Sequence, residues 1–220
     1  MPNHVTQQLT IIGAEAPKVI EYSAGSDTAL DFNRIIPMPV ELKIDESSDG
    51  HMGLAAITGE CTRYLTFPWV KDQGIRTAEE FAAYVERERP QAIELAREYL
   101  TNKQEFGHMT WRDWCYANWG TKWNAYSVDE PELLSDRTIV RFNTAWSPAI
   151  PVMVKLSELF PSVALTLRYF DEGWGFAGEA YFWAGQHVDE SFDPDANDPR
   201  TRIVYREVYN EELPALDEDE

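Results

Sequence analysis

The order in which strand and helix patterns follow one another constrains the fold of this chain most. Alternating apolar and polar residues from 4 to 12 predict a first strand, and Thr77 with Glu80 forms a capping box that begins a helical region. The later patterns run strand, strand, helix, strand, at 122–128, 138–145, 147–160 and 163–169. This order predicts an α+β protein with the β-α-β-β-α-β plan of a ferredoxin-like two-layer sandwich.

The remaining segments are predicted to be additions to one core that spans residues 1–186. A short extended run at 30–36 and a polar, glycine-containing loop at 43–59 place an inserted segment at about 27–74. Residues 176–183 predict a hairpin partner for the last core strand. Residues 187–220 are predicted to be an acidic C-terminal extension, with an edge strand at 203–209 and a disordered tail from Leu213.

The composition predicts a self-sufficient core. The chain has 220 residues, is 44% hydrophobic and contains 8 Trp, so it can bury enough apolar surface without a metal or a disulfide. Its two cysteines, Cys61 and Cys115, form no CxxC pair and are expected to be buried free thiols. There is no apolar run of membrane-spanning length and no signal-peptide pattern, so the predicted location is the cytoplasm.

The net charge of −19 limits the classes of partner. Such a charge repels phosphate backbones and anionic lipids, so neither direct nucleic-acid binding nor membrane binding is expected. A basic host protein is the predicted partner. The predicted binding surface for this partner is a cluster of carboxylates, namely Asp189, Glu190, Asp193, Asp195 and Asp198. The cluster lacks the spacing of a calcium-binding loop. The alternative interpretation of the cluster is a solvated acidic loop.

Aromatic residues are densest between 111 and 124. One interpretation is an aromatic-walled pocket in which Lys122 and Asn124 are the polar groups. The other is a helix-to-sheet junction that is filled by the rings, because tryptophans bury large areas. The pocket interpretation assigns five binding residues, namely Trp119, Lys122, Trp123, Asn124 and Trp146.

The sequence favours a non-catalytic protein and predicts no cofactor, no metal and no catalytic residue. The four histidines have no metal-ligand spacing, and no P-loop or nucleophile elbow is present. Residues 173–178 spell Gly-x-Gly-x-x-Gly, but they lie in a predicted hairpin with no helix after them. An N-terminal amine at Pro2 is the remaining catalytic alternative.

Four stretches of the chain resemble the YubB-like family of plasmid and phage proteins. The resemblance covers residues 1 to about 185 and is carried by Met1–Thr6, Phe32-Asn33 with Ile36–Pro39, Trp119–Ala125 and Thr144–Pro148. It implies a ferredoxin-like C-terminal part and a setting in bacterial mobile genetic elements. It implies no catalytic residues.

Three functional hypotheses follow. The first is a non-catalytic accessory protein of a plasmid or phage that binds a basic host protein through its acidic surface, as a DNA mimic or an anti-defence protein would. The second is a small-ligand binder or enzyme that uses the aromatic pocket around Lys122. In the third, the acidity serves solubility only.

Overall fold

The computed structural model describes residues 3–213 of the chain. In chain order these residues form β1 (His4–Ile12), α1 (Ala16–Ser23), α2 (Phe32–Ile35), a 3-10 turn (Val40–Leu42), α3 (Ser48–Thr58), α4 (Thr62–Leu65), α5 (Pro68–Asp72), α6 (Ala78–Glu88), α7 (Pro90–Phe106), α8 (Trp111–Asn118), β2 (Glu132–Leu133), β3 (Thr138–Ala145), α9 (Ile150–Leu159), β4 (Ala164–Asp171), β5 (Ala177–Trp183), β6 (Gln186–Phe192) and α10 (Pro199–Tyr209).

The chain divides into two compact units. Met1–Pro37 and Cys115–Glu220 form one unit, which contains the whole β-sheet and is called the sheet unit below. Met38–Trp114 forms the other, which is called the helical unit because the elements described in it are helices.

The sheet has the strand order β2-β3-β1-β4-β5-β6, and each neighbouring pair is antiparallel. β1 lies between β3 and β4, and α9 connects these two strands across it. The first four strands therefore follow the β-α-β-β-α-β plan, and β5 and β6 extend the sheet beyond β4. The predicted ferredoxin-like α+β fold is confirmed.

Helices pack on both faces of the sheet. On one face the Gln7 side chain accepts a hydrogen bond from the backbone N–H of Ala149, directly before α9 (3.2 Å). On the other face, residues of β4, β5 and α10 form an apolar cluster of Phe170, Ala177, Val204 and Val208. The helix α10 thus adds a third layer to the two-layer plan.

The predicted edge strand at 203–209 was wrong, since these residues belong to α10. The Asp198 side chain accepts the Arg200 backbone N–H at the start of this helix, and Pro199 occupies its first turn. Val204 and Val208 are four residues apart and therefore lie on one helix face, against the sheet. The β-branched residues of this stretch are typical of a strand, but the four-residue spacing of its buried apolar residues is typical of a helix.

The predicted loop at 43–59 was also wrong, because most of it forms α3. Ser47 caps this helix by accepting the Gly50 N–H (3.1 Å). A Cβ atom at Gly53 would collide with the carbonyl oxygen of Ala92 in α7. Glycine therefore lets these two helices approach closely, and its presence does not mark a loop here.

Two predicted strands differ from the structure as well. In place of the extended run at 30–36 there is α2, which Asp31 caps through the Asn33 N–H (2.9 Å). The stretch 122–128 is not a strand, and within it Tyr126 forms an isolated β-bridge to Asn143. The second strand of the β-α-β-β-α-β order is β2 instead. The capping box of Thr77 and Glu80 is confirmed at the start of α6, and Pro90 begins α7.

The limits of the two units differ from the predicted domain limits. The insertion between β1 and the later strands forms a unit at 38–114, whereas the sequence placed it at about 27–74. Residues of the predicted C-terminal extension form β6 and α10 within the sheet unit. Leu213 is buried, and its carbonyl oxygen accepts a hydrogen bond from Arg202; the rest of the predicted tail lies outside the described residues.

Cys61 and Cys115 are both buried thiols, as predicted. Among residues 3–213, no helix is long and apolar enough to cross a membrane.

Candidate functional site

Three chain segments meet where β1 begins. His4 is paired with Ala145, the last residue of β3, and Val5 is paired with Asp171, the last residue of β4. The segments that follow β3 and β4 therefore flank the start of β1 on both sides. The Trp146 N–H donates to the Asn3 carbonyl (3.1 Å), and the Glu172 N–H donates to the His4 carbonyl (3.0 Å).

Aromatic side chains are concentrated at this end of the sheet, which we call the aromatic rim. It consists of His4, Trp123, Tyr126, Trp146 and Trp174. The three tryptophans are 37%, 45% and 41% exposed, respectively. Large rings that stay exposed together are typical of binding surfaces, where tryptophan is enriched among the energetically important residues.

Two of the exposed tryptophans have an unfavourable backbone conformation. Trp146 has φ of +75° and Trp174 has φ of +58°, in the left-handed region. For a bulky L-residue this conformation costs about 1–2 kcal/mol relative to the right-handed one. Such strain is concentrated at binding and catalytic sites, because folding stability alone would favour glycine there.

Ring contacts and hydrogen bonds connect three members of the rim, Trp123, Tyr126 and His4. The Trp123 and Tyr126 rings meet edge to face at 6.3 Å, and those of Tyr126 and His4 at 5.6 Å. The Tyr126 hydroxyl donates to the Thr144 carbonyl (3.1 Å) and lies 2.6 Å from His4 Nδ1. These contacts hold the Tyr126 ring in place between strand β1 and the exposed Trp123.

Trp174 lies beside the aromatic residues that α10 contributes. Its ring packs edge to face on Phe170 at 5.2 Å, and Phe170 in turn contacts Tyr205 and Tyr209. The rim therefore continues into the cluster between the sheet and α10.

Glu172 brings a negative charge to the rim. Its Oε1 accepts the His4 backbone N–H at 2.7 Å. Burial, and then the Glu172 carboxylate, raise the pKa of the Tyr126 hydroxyl above its ordinary value. Burial is also the main cause that raises the pKa of Tyr209, and Glu172 contributes there too. The negative charge of Glu172 therefore acts on the hydroxyl groups of both tyrosines.

Lys122 already places a cation on this surface. Its ammonium group lies 4.8 Å from the centroid of the Trp123 ring, which is a cation–π distance. Within the part of the chain that the structure describes, Lys122 has no carboxylate within ion-pair distance. An aromatic face of the rim thus accepts a positive charge in this structure.

The five predicted pocket residues fall into two groups. Trp119 is buried, and its indole N–H donates to the Ile36 carbonyl (2.9 Å). Asn124 accepts the Phe32 N–H (2.8 Å) and donates to the Asp31 carboxylate (2.6 Å). These hydrogen bonds attach the loop that contains Trp119 and Asn124 to α2 and to Asp31, the residue before α2. The other three, Lys122, Trp123 and Trp146, lie at the rim, so the predicted pocket as a whole stays a prediction.

Most of the predicted acidic surface has local hydrogen-bond or ion-pair partners. The Tyr169 hydroxyl donates to Asp189 (2.7 Å), and Glu190 pairs with Arg200 (3.3 Å). Asp195 accepts the backbone N–H of Asn197 (2.8 Å), and Asp198 caps α10. Asp193 is exposed. The use of these carboxylates as a binding surface stays a prediction.

His4, Tyr126, Glu172 and Trp174 were not among the predicted binding residues. They come from three separate stretches of the chain, which the register of β1 with β3 and β4 brings together. The signal that could have found Trp174 is its position directly after the turn residues Asp171-Glu172-Gly173, which follow the strongest strand pattern.

The fold and the rim define an α+β protein with a ferredoxin-like sheet and an aromatic surface at one sheet end. Residues 118–210 match a family model that is described as the ferredoxin-like domain in Api92-like protein. This match includes α9, β2 to β6, α10 and all rim residues except His4.

One solved structure with a similar chain is the crystal structure of a protein api92 from Yersinia pseudotuberculosis. The identity is 13%, the alignment covers 90% of this chain and 100% of that chain, and the TM-score is 0.47. No curated protein matches. The family match supports the ferredoxin-like fold of the C-terminal part and assigns no ligand or reaction to it.

Proposed function

We propose that this chain is a non-catalytic binding protein whose aromatic rim contacts a basic segment of a partner protein. We place it in a plasmid or phage and its partner in the bacterial host, because of the stretches that resemble the YubB-like family. The observation that carries the proposal is the exposure of Trp123, Trp146 and Trp174 at one end of the sheet.

The chemistry of the rim favours a cationic partner. Lysine and arginine side chains bind over the faces of tryptophan rings, and Lys122 does so on Trp123. Glu172 adds a carboxylate at the start of β1, where its Oε1 accepts the His4 backbone N–H. Arginine side chains of a partner that lie over Trp146 and Trp174 would meet both attractions at once.

The charge of the sheet unit supports the same class of partner. Of the 38 acidic residues 24 lie in this unit, together with 10 of the 19 basic residues. A surplus of this size steers basic surfaces towards the unit and repels nucleic acid. The carboxylates at 189–198 would then attract the partner at long range, while the rim supplies the close contacts.

The experiment is a pull-down from a bacterial host lysate at low and at high salt, with the bound proteins identified by mass spectrometry. The bait is the full chain, compared with the double variant Trp146→Ala/Trp174→Ala. The control bait is Trp69→Ala/Trp183→Ala, which removes two tryptophans that are equally exposed (40% and 46%) but lie outside the rim.

We expect a basic protein that binds the native and control baits at low salt, weakens at high salt, and is lost from the rim variant. With the purified partner, the rim variant should bind at least about tenfold more weakly. Equal binding by the rim and control variants would refute the proposal. Binding that does not depend on the salt concentration would refute the electrostatic part of the proposal.

A further inference from the structure

The helical unit contains a cavity of about 480 Å³ that is separate from the aromatic rim. Its volume is in the usual range for small-molecule sites. Residues of α3 and α4 and of the turns next to them form its wall: Ser48, His51, Leu54, Ala55, Thr58, Glu60, Arg63, Tyr64 and Phe67.

One wall of the cavity is apolar. The Tyr64 and Phe67 rings meet edge to face at 5.7 Å, and Tyr64 also packs on the fully buried Phe81 at 5.2 Å. Leu54 and Ala55 of α3 line the cavity as well. An apolar ring or chain of a ligand would find a preformed surface here.

Arg63 and Glu60 bring charges of opposite sign to the cavity wall, and they form no ion pair with each other. The Arg63 guanidinium carbon lies 5.9 Å from the centroid of the Phe67 ring. Among the residues that the structure describes, no carboxylate lies within ion-pair distance of this guanidinium. In a chain with 38 acidic and 19 basic residues, an arginine at a cavity without a carboxylate partner leaves its donors available for an anionic ligand.

The Tyr64 hydroxyl is a second available donor. It makes no hydrogen bond within residues 3–213. Burial is the main cause that raises its pKa, so the hydroxyl keeps its proton at physiological pH. A neutral phenol that lines the same cavity as a guanidinium can add a hydrogen bond to a carboxylate that the charge attracts.

His51 is held in a fixed orientation at the edge of the same cavity. Its Nε2 lies 2.8 Å from Glu46 Oε1, and the Thr110 hydroxyl donates to the other carboxylate oxygen (2.5 Å). Its ring packs edge to face on Tyr99 at 5.9 Å. The Nδ1 atom makes no hydrogen bond among the described residues, so it can bind a polar group of a ligand.

From these groups we infer that the helical unit binds a small organic anion, a carboxylate attached to an apolar ring or chain. The carboxylate contacts Arg63 and the Tyr64 hydroxyl, and the apolar part lies against Leu54, Ala55 and Phe67. His51 contacts a further polar group where the ligand has one. This site does not depend on the proposed function of the rim, because its residues all belong to the other unit.

The test is a titration of the full ¹⁵N-labelled chain, followed by the chemical shifts of its backbone amides. The probes are phenylacetate, benzoate and hexanoate, each paired with its neutral amide of nearly equal shape. The variants are Arg63→Gln and Tyr64→Phe. The control is Arg97→Gln, since Arg97 is exposed on α7 and also has no ion pair among the described residues.

We expect saturable shifts for at least one carboxylate, centred on α3 and α4, with the matching amide bound about tenfold more weakly. Arg63→Gln should abolish this preference and Tyr64→Phe should reduce it, while Arg97→Gln leaves both affinities unchanged. The inference is overturned if no probe saturates at millimolar concentration, if acids and amides bind alike, or if the control loses binding equally. Unchanged thermal midpoints of the variants show that they are folded.

Discussion

The two units use their aromatic residues in opposite ways. In the sheet unit, Trp123, Trp146 and Trp174 stay exposed at one sheet end, and two of them have a strained backbone. In the helical unit, Tyr64 and Phe67 line a cavity with ordinary packing. The sheet unit also holds most of the negative charge, with 24 of 38 acidic residues.

This difference shows that one acidic chain can have two kinds of candidate binding surface, an exposed aromatic rim and a cavity. The rim is open and belongs to the unit with the larger excess of negative charge, which suits a large basic partner. The cavity is small and has an unpaired arginine, which suits a small anion. Substitutions that affect one unit and leave the other unchanged therefore test this difference.

The largest effect is expected in the core of the sheet unit. Phe170→Ala removes a fully buried ring that contacts Trp174, Tyr205 and Tyr209. We expect the free energy of unfolding of this unit to fall by about 4 kcal/mol, because the site cannot collapse without moving α10. Guanidinium unfolding followed by circular dichroism measures it. A loss below about 1 kcal/mol would contradict the packing of α10 on the sheet.

The corresponding change in the helical unit is Gly53→Ala. The added methyl group collides with the Ala92 carbonyl, which is backbone and cannot rotate away. We expect a loss of about 3 kcal/mol in the unfolding free energy of this unit. Hydrogen exchange should show weaker protection in α3 and α7 and unchanged protection in the sheet.

Gly74→Ala is the matched control for that change. Its Cβ would meet nothing within 4 Å, but Gly74 has φ of +75°, so the cost is backbone strain alone, about 1 kcal/mol. If both alanine variants lose the same amount, close packing is not the reason for Gly53.

A smaller effect is expected at the rim. Trp146→Gly relieves a left-handed backbone but also removes the buried part of a ring that is 45% exposed, so these opposing contributions should leave the unfolding free energy within about 1 kcal/mol of the native value. Partner binding should fall at the same time. Thermal unfolding measures the first effect.

Trp174→Gly serves as the comparison, since its ring also packs on Phe170 and its removal should lower the unfolding free energy further. An equal or larger loss of stability in Trp146→Gly would show that the Trp146 ring contributes to folding and is not kept for binding.

The smallest effect concerns pH. Burial would raise the pKa of Asp113, but the N–H groups of Thr110 and Met109 donate to its carboxylate and lower it below the ordinary 3.8. A lowered folded-state pKa contributes stability above the unfolded pKa of about 3.9 and loses it as the pH falls through the folded value. Asp113→Asn should therefore unfold with a weaker pH dependence below about pH 4.

Asp72→Asn is the control for that measurement, because Asp72 is exposed and makes no hydrogen bond among the described residues. Equal acid sensitivity of the two variants and the native chain would contradict the role of Asp113 at the start of α8.

The part of the fold that could be predicted from the sequence is the part with local signals. Alternation predicted β1, β3, β4 and β5, and the capping box predicted α6. α3 could not be predicted, because Gly50 and Gly53 lower local helix propensity and only packing against α7 compensates. For α10, the β-branched run at 203–204 obscured the four-residue spacing of Val204 and Val208.

Much of the site depended on distant pairing. Lys122, Trp123 and Trp146 could be proposed because tryptophan is dense around them. His4 could not, since only the register of β1 with two other strands brings it to the rim. The sequence also did not separate Trp119 and Asn124 from the exposed residues, because burial depends on the docking of α2.

The most direct test of the central claim is isothermal titration calorimetry of the purified basic partner with two double variants. We predict that Trp146→Ala/Trp174→Ala weakens binding at least about tenfold and that Trp69→Ala/Trp183→Ala leaves it unchanged. If both variants bind as the native chain does, the aromatic rim is not the binding surface.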